Sequence, residues 1–320
     1  MTHAVSQSGV EFKRLGLVVI DEQHKFGVRQ RAALKKAGLD PHYLVMSATP
    51  IPRTVGMTLF GDLDVSTLRE APPGRQAVHT YLAGDEQRMR WWHFLRTKLD
   101  EGRQGYVITP LVEESEAIEA ANVQETFDVL GRGELANYRI GLVHGRMTPA
   151  EKEGAMQAFR SGRTQALVAT SVVEVGVDVP NATLMTIEGG ERFGLAQLHQ
   201  LRGRISRGAH PGYLCVFATG ASDEAQSRLD AFTKTNDGFE LAEIDFQLRG
   251  PGDLFGTKQH GLAPLRIADL RRDAAIVEEA RRAAQRLIET DPDLQNPAFA
   301  RLRRMVVHRY GEALELGDVG

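Results

Sequence analysis

Short apolar runs recur along the chain, and most of them lack the alternation of polar and apolar residues that marks a half-exposed strand. Continuous apolar runs of this kind are typical of strands that are covered on both faces of a sheet. The pattern therefore predicts strands at these positions: Leu17–Ile20, Tyr43–Ser47, Gly105–Thr109, Ile140–His144, Ala166–Ala169, Leu184–Ile187 and Tyr213–Ala218.

The stretches between several of these strands have the residue pattern of helices. Two of them are Asp85–Glu101, which contains both tryptophans, and Thr148–Ser161. At the start of the second, Thr148 is placed to cap the helix, Pro149 suits the first turn and Glu151 completes a capping box. Strands that alternate with helices predict an α/β fold built on a parallel sheet.

Breaks in this alternation suggest how the chain is divided. The turn-rich sequence REAPPGR, from Arg69 to Arg75, is the predicted linker. After about Ala221 the strand signals end, and residues 268–289 form a predicted amphipathic helix that Asp291 and Pro292 terminate. We therefore divide the chain into residues 1–72, 73–221 and 222–320.

The amino-acid composition limits the kinds of protein to which the chain can belong. Its 320 residues, of which 42% are hydrophobic and 25% are charged, suffice for two domains with separate cores. The single cysteine, Cys215, excludes an internal disulfide and fits a reducing cytoplasm. No apolar run approaches the roughly 18 to 20 residues that a membrane-spanning helix needs, so a membrane role is not expected. The net charge of −3 by itself gives no reason to expect a nucleic-acid partner.

The sequence LVVIDEQHKFG, from Leu17 to Gly27, places two carboxylates directly after a predicted buried strand. In open parallel sheets, functional residues collect at the carboxyl ends of the strands. A carboxylate there can hold a magnesium ion bound to nucleotide phosphates, and a second can orient the attacking water. The alternative is that Asp21 and Glu22 only begin a surface turn.

Further motifs resemble those of superfamily 2 helicases, in matching order and spacing. DEQH at Asp21–His24 and SATPIPRT at Ser47–Thr54 resemble motifs II and III, while Ala166–Ile187 and Gln197–Gly208 resemble motifs V and VI. Several longer segments resemble the RecG family of branched-DNA helicases in particular. They are DEQHKFGVRQR, YVITPLVEESE, HGRMTPAEKE, ERFGLAQLHQLRGR and TNDGFELAEIDFQLRGPGDLFGTKQHG.

The nearest rival is the motor of the transcription-repair coupling factors, which shares the last of these segments, the translocation motif. Those proteins usually carry DEEQ or DEEH where this chain has DEQH, which favours the RecG family.

The resemblance implies an architecture for each of the three segments. Residues 1–72 would be an incomplete first RecA-like motor domain, and residues 73–221 a complete RecA-like parallel-sheet domain. Residues 222–320 would carry the translocation motif as a helical hairpin and loop. The chain then resembles the carboxyl-terminal portion of a helicase, without the amino-terminal wedge domain and the Walker A motif.

The resemblance also implies a function. The chain would be the motor portion of an ATP-dependent DNA helicase that remodels stalled forks and Holliday junctions in repair and recombination. ATP and Mg²⁺ would be its cofactors and branched double-stranded DNA its partner. We expect a monomer in the bacterial cytoplasm, associated with the nucleoid and not with a membrane.

Roles at the nucleotide follow from the same resemblance. Asp21 would hold the magnesium of MgATP and Glu22 would position water, while Gln23 and His24 would couple the site to Ser47 and Thr49 of motif III. In the second motor domain, Arg204 and Arg207 would reach the γ-phosphate as arginine fingers, with Gln200, Gly176 and Asp178 beside the nucleotide. The acidic pair and the arginine pair would then line opposite walls of one cleft. Surface ion pairing is the alternative for the arginines, because Arg202, Arg204 and Arg207 cannot all share one role.

At the DNA, Thr170 would contact a phosphate, and Arg249 and Gln259 would lie in a glycine-rich loop that passes domain closure to the duplex. The alternative is that these glycines only form a loose connection. For His144, which follows a predicted strand, we favour a structural role with satisfied hydrogen bonds. At least one of Trp91 and Trp92 should pack in the core.

Departures from the family pattern limit these expectations. The 320 residues contain no Gly-Lys dipeptide, and hence no phosphate-binding loop of the form GxxxxGK followed by Ser or Thr. We therefore expect weak or absent ATP hydrolysis, and a non-catalytic DNA-binding or interaction module remains the alternative. The DNA upstream of the Met1 codon would discriminate the two, because a continuous frame that encodes such a loop favours the motor.

Smaller departures concern single positions. Ser206 replaces a usual glycine, which leaves the local backbone angle in question. Gly189 and Gly190 replace bulkier residues, and Thr109 replaces a common cysteine.

Overall fold

The computed structural model describes residues 13–21, 42–48, 65–70, 74, 76–110, 116–170, 178–249 and 272–317. The chain divides into two compact units. The first unit comprises Met1–Val65 together with Arg249–Gly320, and the second comprises Ser66–Leu248. The three-part functional division remains a prediction.

In the first unit, the two apolar runs nearest the amino terminus form a parallel pair of strands. Strand β1 (Leu17–Ile20) pairs with β2 (His42–Val45), so that Ile20 lies opposite Val45. The sequence predicts the second strand at 43–47, whereas the structure ends it at Val45. Ser47 therefore lies beyond the strand.

Six strands form a parallel sheet at the centre of the second unit. They are β3 (Val78–Ala83), β4 (Gln104–Thr109), β5 (Ile140–Val143), β6 (Ala166–Thr170), β7 (Ala182–Ile187) and β8 (Gly212–Phe217). Their order across the sheet is β3-β8-β7-β4-β6-β5, and every neighbouring pair is parallel. The predicted α/β fold with a parallel sheet is confirmed.

The sequence pattern misses β3, which lies at an edge of this sheet. Its sequence VHTYLA alternates half-buried and exposed positions, and Tyr81 is 48% exposed. An edge strand pairs on one side only and needs no continuous apolar run, so the pattern that identifies the central strands does not apply to it.

Helices connect the strands of the second unit and continue beyond the last one. They are α1 (Asp85–Asp100), α2 (Glu116–Arg132), α3 (Pro149–Arg160), α4 (Leu195–Arg202), α5 (Asp223–Lys234) and α6 (Gly238–Arg249). The two helices predicted individually correspond to α1 and α3. The start of α3 also has the predicted capping box, in which the Thr148 hydroxyl accepts from the Glu151 N–H and the Glu151 carboxylate accepts from the Thr148 N–H at 2.7 Å. The Glu151 carboxylate accepts hydrogen bonds from the N–H and the hydroxyl of Thr148, and these two bonds hold its pKa below the ordinary value.

Two hydrophobic clusters cover the two faces of the six-stranded sheet. Along β4, Tyr106 and Ile108 belong to one cluster and Val107 to the other, as expected for a strand buried on both faces. Trp91 and Trp92 of α1 are both buried, which confirms that at least one tryptophan packs in the core.

Two further helices belong to the first unit. They are α7 (Ala274–Thr290) and α8 (Ala300–Gly317). The sequence predicts α7 at 268–289, but the described residues just before it, Arg272 and Asp273, are not helical, so the helix begins at Ala274. In the part of the chain that the structure describes, no helix is long and apolar enough to cross a membrane.

Candidate functional site

Asp21 and Ser47 follow the two strands of the first unit at the same edge. The Met46 N–H donates to the Ile20 carbonyl at 2.7 Å, so the strand pairing continues as far as Asp21. Both side chains are exposed. The Asp21 carboxylate is a hard oxygen ligand of the kind that Mg²⁺ prefers, and Ser47, whose predicted role is coupling, lies at the same edge. Glu22, Gln23, His24 and Thr49 lie outside the described residues, and their roles remain predictions.

Three polar atoms at the carboxyl edge of the six-stranded sheet are buried and have no hydrogen-bond partner among the described residues. They are Thr109 Oγ1, Thr170 Oγ1 and His144 Nδ1. Strands β4, β6 and β5 are neighbours, and Thr109 lies opposite Thr170. His144 follows the Val143–Ala169 pair and so lies beside Thr170. We call Thr109, Thr170 and His144 the edge row.

The edge row is unusual because buried polar atoms in proteins are nearly always hydrogen-bonded. Thr109 and Thr170 are 4% and 0% exposed, and an unsatisfied buried group costs about 1–3 kcal/mol. The structural role that we favoured for His144 requires a partner for its buried nitrogen, and the described residues provide none. Three such atoms on neighbouring strands make this edge of the sheet a candidate ligand site.

A turn after α4 carries two of the predicted arginines, and we call residues 203–207 the arginine turn. The Gly203 N–H donates to the His199 carbonyl, and Arg207 Nε donates to the Gly203 carbonyl at 3.0 Å. Arg207 also lies 3.9 Å from the carboxylate of Asp178. The structure thus brings together Arg207 and Asp178, which the sequence placed at the same nucleotide.

Arg202, which the same motif contains, has a different role. It is 4% exposed, its Nη1 donates to the Phe232 carbonyl at 2.9 Å, and its guanidinium lies 4.3 Å from the centre of the Phe232 ring. Phe232 is in the last turn of α5, where carbonyls have no partner within the helix. Arg202 therefore caps α5, which differs from the nucleotide role expected of Arg204 and Arg207.

Ser206 lies within the arginine turn and has the left-handed backbone angle that glycine adopts most easily. Its φ is +59°, and its side chain is fully buried. Its N–H donates to the Ala182 carbonyl at 3.1 Å, and its hydroxyl donates to the His210 carbonyl at 2.8 Å. The angle that the sequence left in question is therefore a left-handed one, held by hydrogen bonds.

Tyr106 of β4 lies within electrostatic range of the predicted nucleotide residues. Burial raises the pKa of Tyr106 to about 12, against the opposing effect of the positive charges of Arg204 and Arg207. The negative charge of Asp178 adds to the increase. The three charged side chains are therefore close enough to Tyr106 to affect its ionisation.

Gly189 and Gly190, which replace bulkier residues, follow β7 closely. Gly189 has a φ of +61°. A Cβ atom on Gly190 would lie 2.1 Å from Cγ1 of Val216, so this position has no room for a side chain.

The other predicted site residues are placed only in part. Gln200 is a half-buried residue of α4. Arg249 ends α6, but its side chain is outside the described part of the chain, as are Gly176 and Gln259. Sequence reasoning missed Thr109 as a site residue. Its position at the end of a predicted strand, like that of Thr170, was the available signal.

Two parts of the chain match known protein families. Residues 91–209 match the helicase conserved C-terminal domain, and residues 235–310 match the family described as ATP-dependent DNA helicase RecG, domain 3, C-terminal.

The chain is also similar to individual ATP-dependent DNA helicases named RecG. It is 48% identical to that of Synechocystis over 313 residues, 45% identical to that of Bacillus subtilis over 302 residues and 49% identical to that of Escherichia coli K12 over 300 residues. These alignments cover 98%, 94% and 91% of this chain, but only 37%, 44% and 43% of the relatives. The chain therefore spans about two fifths of the length of the curated relatives that it matches.

Solved structures show the same relationship. A structure of RecG bound to a three-way DNA junction is similar with a TM-score of 0.65 and 42% identity, covering 86% of this chain and 35% of that one. The helicase MrfA bound to DNA has a TM-score of 0.51 at 19% identity, covering 70% and 34% of the two chains, and shares the fold.

Proposed function

The chain belongs to the RecG family of ATP-dependent DNA helicases, and we propose that it provides motor machinery which uses ATP to move on branched double-stranded DNA. Stalled forks and Holliday junctions are the proposed substrates, and DNA repair and recombination the proposed context. The relatives' names and the junction-bound structure support this proposal.

The edge row is the observation that carries the proposal. Threonine hydroxyls and a histidine ring N–H can all donate hydrogen bonds, and neighbouring strands lie roughly 4.8 Å apart, so the row offers closely spaced donors for the oxygens of a phosphate backbone. Phosphate contacts fix the position of a protein on DNA without reading its sequence. A motor that must move along any sequence requires contacts of this kind.

The arginine turn supports the nucleotide half of the proposal. Arg207 is partly exposed, and its 3.9 Å separation from Asp178 is long for an ion pair, so its guanidinium keeps donors for a phosphate. When bound, MgATP supplies the phosphoryl group whose transfer drives the motor. The proposed nucleotide residues are Asp21, Glu22, Gln23, His24, Gly176, Asp178, Gln200, Arg204 and Arg207. The proposed residues for DNA contact and coupling are Ser47, Thr49, Thr170, Arg249 and Gln259. The cleft between the acidic pair and the arginine pair remains a prediction.

Junction binding by variants of the edge row tests the DNA half of the proposal. Replacing both Thr109 and Thr170 by valine removes two donors without a change of shape. Because each hydrogen bond contributes about 0.5–1.5 kcal/mol, we expect the Kd for a fluorescent three-way junction to rise roughly tenfold. Thr80→Val is the matched control, since Thr80 Oγ1 also lacks a partner among the described residues but lies in the middle of β3.

The anisotropy titration is done at one fixed salt concentration, because phosphate contacts weaken with salt. A folded double variant that binds the junction as tightly as the wild type would show that the edge row does not contact DNA.

ATP hydrolysis by a polypeptide of these 320 residues is a separate question. The sequence contains no phosphate-binding loop, and positioned charges and donors supply most of the catalysis of phosphoryl transfer. We therefore propose that this polypeptide hydrolyses ATP weakly or not at all, as a phosphate-release assay with a junction would show. Turnover near that of an intact helicase would contradict the expectation. Junction binding without turnover would favour the DNA-binding module.

A further inference from the structure

The backbone of Ser206 needs a stabilising contact. A left-handed angle crowds the Cβ atom of any residue other than glycine, so it persists only where the surroundings fix it. Ser206 and Leu294 are the only non-glycine residues with positive φ among those described. At Ser206 the fixing contacts are the backbone hydrogen bond to the Ala182 carbonyl and the contacts of its own hydroxyl.

The hydroxyl of Ser206 faces two carbonyls from different parts of the chain. It lies 2.8 Å from the His210 oxygen and 3.3 Å from the Gln76 oxygen. Gln76 precedes β3, and the next carbonyl, that of Ala77, accepts from the Gly212 N–H at 2.9 Å. Because a serine hydroxyl has one hydrogen, the two carbonyls share it, with His210 the nearer acceptor. This shared contact joins the arginine turn to the segment that leads into the edge strand.

Packing around the hydroxyl leaves little freedom. A Cβ atom on Gly212 would lie 2.9 Å from Cβ of Ser206 and 3.0 Å from Cγ2 of Val78. The absence of a side chain at Gly212 therefore allows the arginine turn and the start of β3 to approach this closely. A displacement of one segment must move the other.

From these contacts we propose that Ser206 is a positioning residue. Its hydroxyl ties the arginine turn to residues 76–78, so that the guanidinium groups of Arg204 and Arg207 keep a fixed orientation relative to the sheet edge. Glycine at this position would keep the backbone angle and lose the tie. The consequence for nucleotide binding rests on the proposed function.

Hydrogen exchange in the full chain tests the tie directly. Ser206→Gly suits the left-handed angle and folds, so its effect reports the lost hydroxyl. We expect amides of residues 77–80 and of residues 205–212 to exchange about fivefold faster together, which corresponds to one net hydrogen bond. Exchange that is unchanged, or that rises only in residues 205–212, would overturn the proposal.

Two further variants separate the tie from stability. Ser206→Ala also lacks the hydroxyl, but it keeps a side chain on a left-handed backbone angle. It should therefore show the same exchange pattern as Ser206→Gly and melt at a lower temperature than that variant. Ser161→Gly is the control, because the Ser161 hydroxyl donates to the Ala158 carbonyl of α3, the helix that Ser161 follows. This variant should leave hydrogen exchange unchanged in both segments, residues 77–80 and residues 205–212.

A titration with a fluorescent ATP analogue tests the positioning role. Ser206→Gly should weaken binding, and unchanged affinity together with faster exchange would show that the tie positions nothing and would overturn the role. If the wild-type chain binds no nucleotide, the proposed function is contradicted. The hydrogen-exchange result would then still test whether the Ser206 hydroxyl ties the two segments together.

Discussion

Replacement of Arg202 by methionine separates the roles of the arginines in one motif. Methionine keeps much of the side-chain volume but removes the donor to the Phe232 carbonyl and the charge above the Phe232 ring. The end of α5 then has a buried carbonyl without its donor. We expect the second unit to be destabilised, with no direct effect on a bound phosphate.

The magnitude follows from the two contacts. A hydrogen bond from a charged donor contributes about 1.5–3 kcal/mol, and a desolvated cation–π contact contributes about 2 kcal/mol. Removal of a buried charge recovers part of its desolvation cost, which offsets some of this loss. A net decrease of about 2–4 kcal/mol in the free energy of unfolding is therefore expected.

Tryptophan fluorescence during urea unfolding measures this decrease in the second unit alone, because both tryptophans of the chain are in α1. Arg207→Met is the matched control, since the loose ion pair of Arg207 should contribute at most about 1 kcal/mol. Nucleotide affinity should follow the opposite order, with Arg207→Met impaired and folded Arg202→Met unaffected. Equal stability of Arg202→Met and the wild type would refute the capping role of Arg202.

Three other predictions concern the core of the second unit. Gly190→Ala should lower the free energy of unfolding by about 1–3 kcal/mol through overlap with Val216, whereas Gly154→Ala, in open space on α3, should raise it by up to about 1 kcal/mol. If both variants melt alike, the packing argument for Gly190 is wrong. Burial raises the pKa of Cys215 to about 12, so a thiol reagent at pH 8 should react only as fast as the chain unfolds; rapid labelling of the native protein would contradict this. The pKa of Tyr106 is ordinarily 10 and rises to about 12 in the folded chain. The neutral phenol should therefore contribute fully to stability below pH 10, and this contribution should decline as the pH rises towards 12. Urea unfolding midpoints measured across this pH range test the expectation.

Hydrophobic pattern predicted the central strands of the sheet because burial on both faces requires continuous apolar sequence. It failed for β3, where an edge position allows polar alternation, and it did not place α2 or α6 individually. Helix α6 lies within the segment TNDGFELAEIDFQLRG, whose glycines favoured the prediction of a loop.

The motifs assigned Asp178 and Arg207 to one site, and the structure brings them within 3.9 Å of each other, while their roles remain predictions. Partnerless atoms could not be predicted, because hydrogen-bond satisfaction depends on tertiary contacts. Sequence pattern therefore favoured a satisfied His144, and it could not show that Arg202 turns away from its neighbours to cap α5.

The position of β3 has a consequence for synthesis on the ribosome. Among the described strands this one pairs with β8 alone, so residues 78–83 find that partner after residues 212–217 have been translated. At about 5–20 residues per second, the edge segment waits about 7 to 27 seconds until its partner strand has been translated. The polar residues that alternate along β3 are the reason why the apolar pattern did not predict this strand. The same polar residues would limit aggregation of the unpaired segment during that delay.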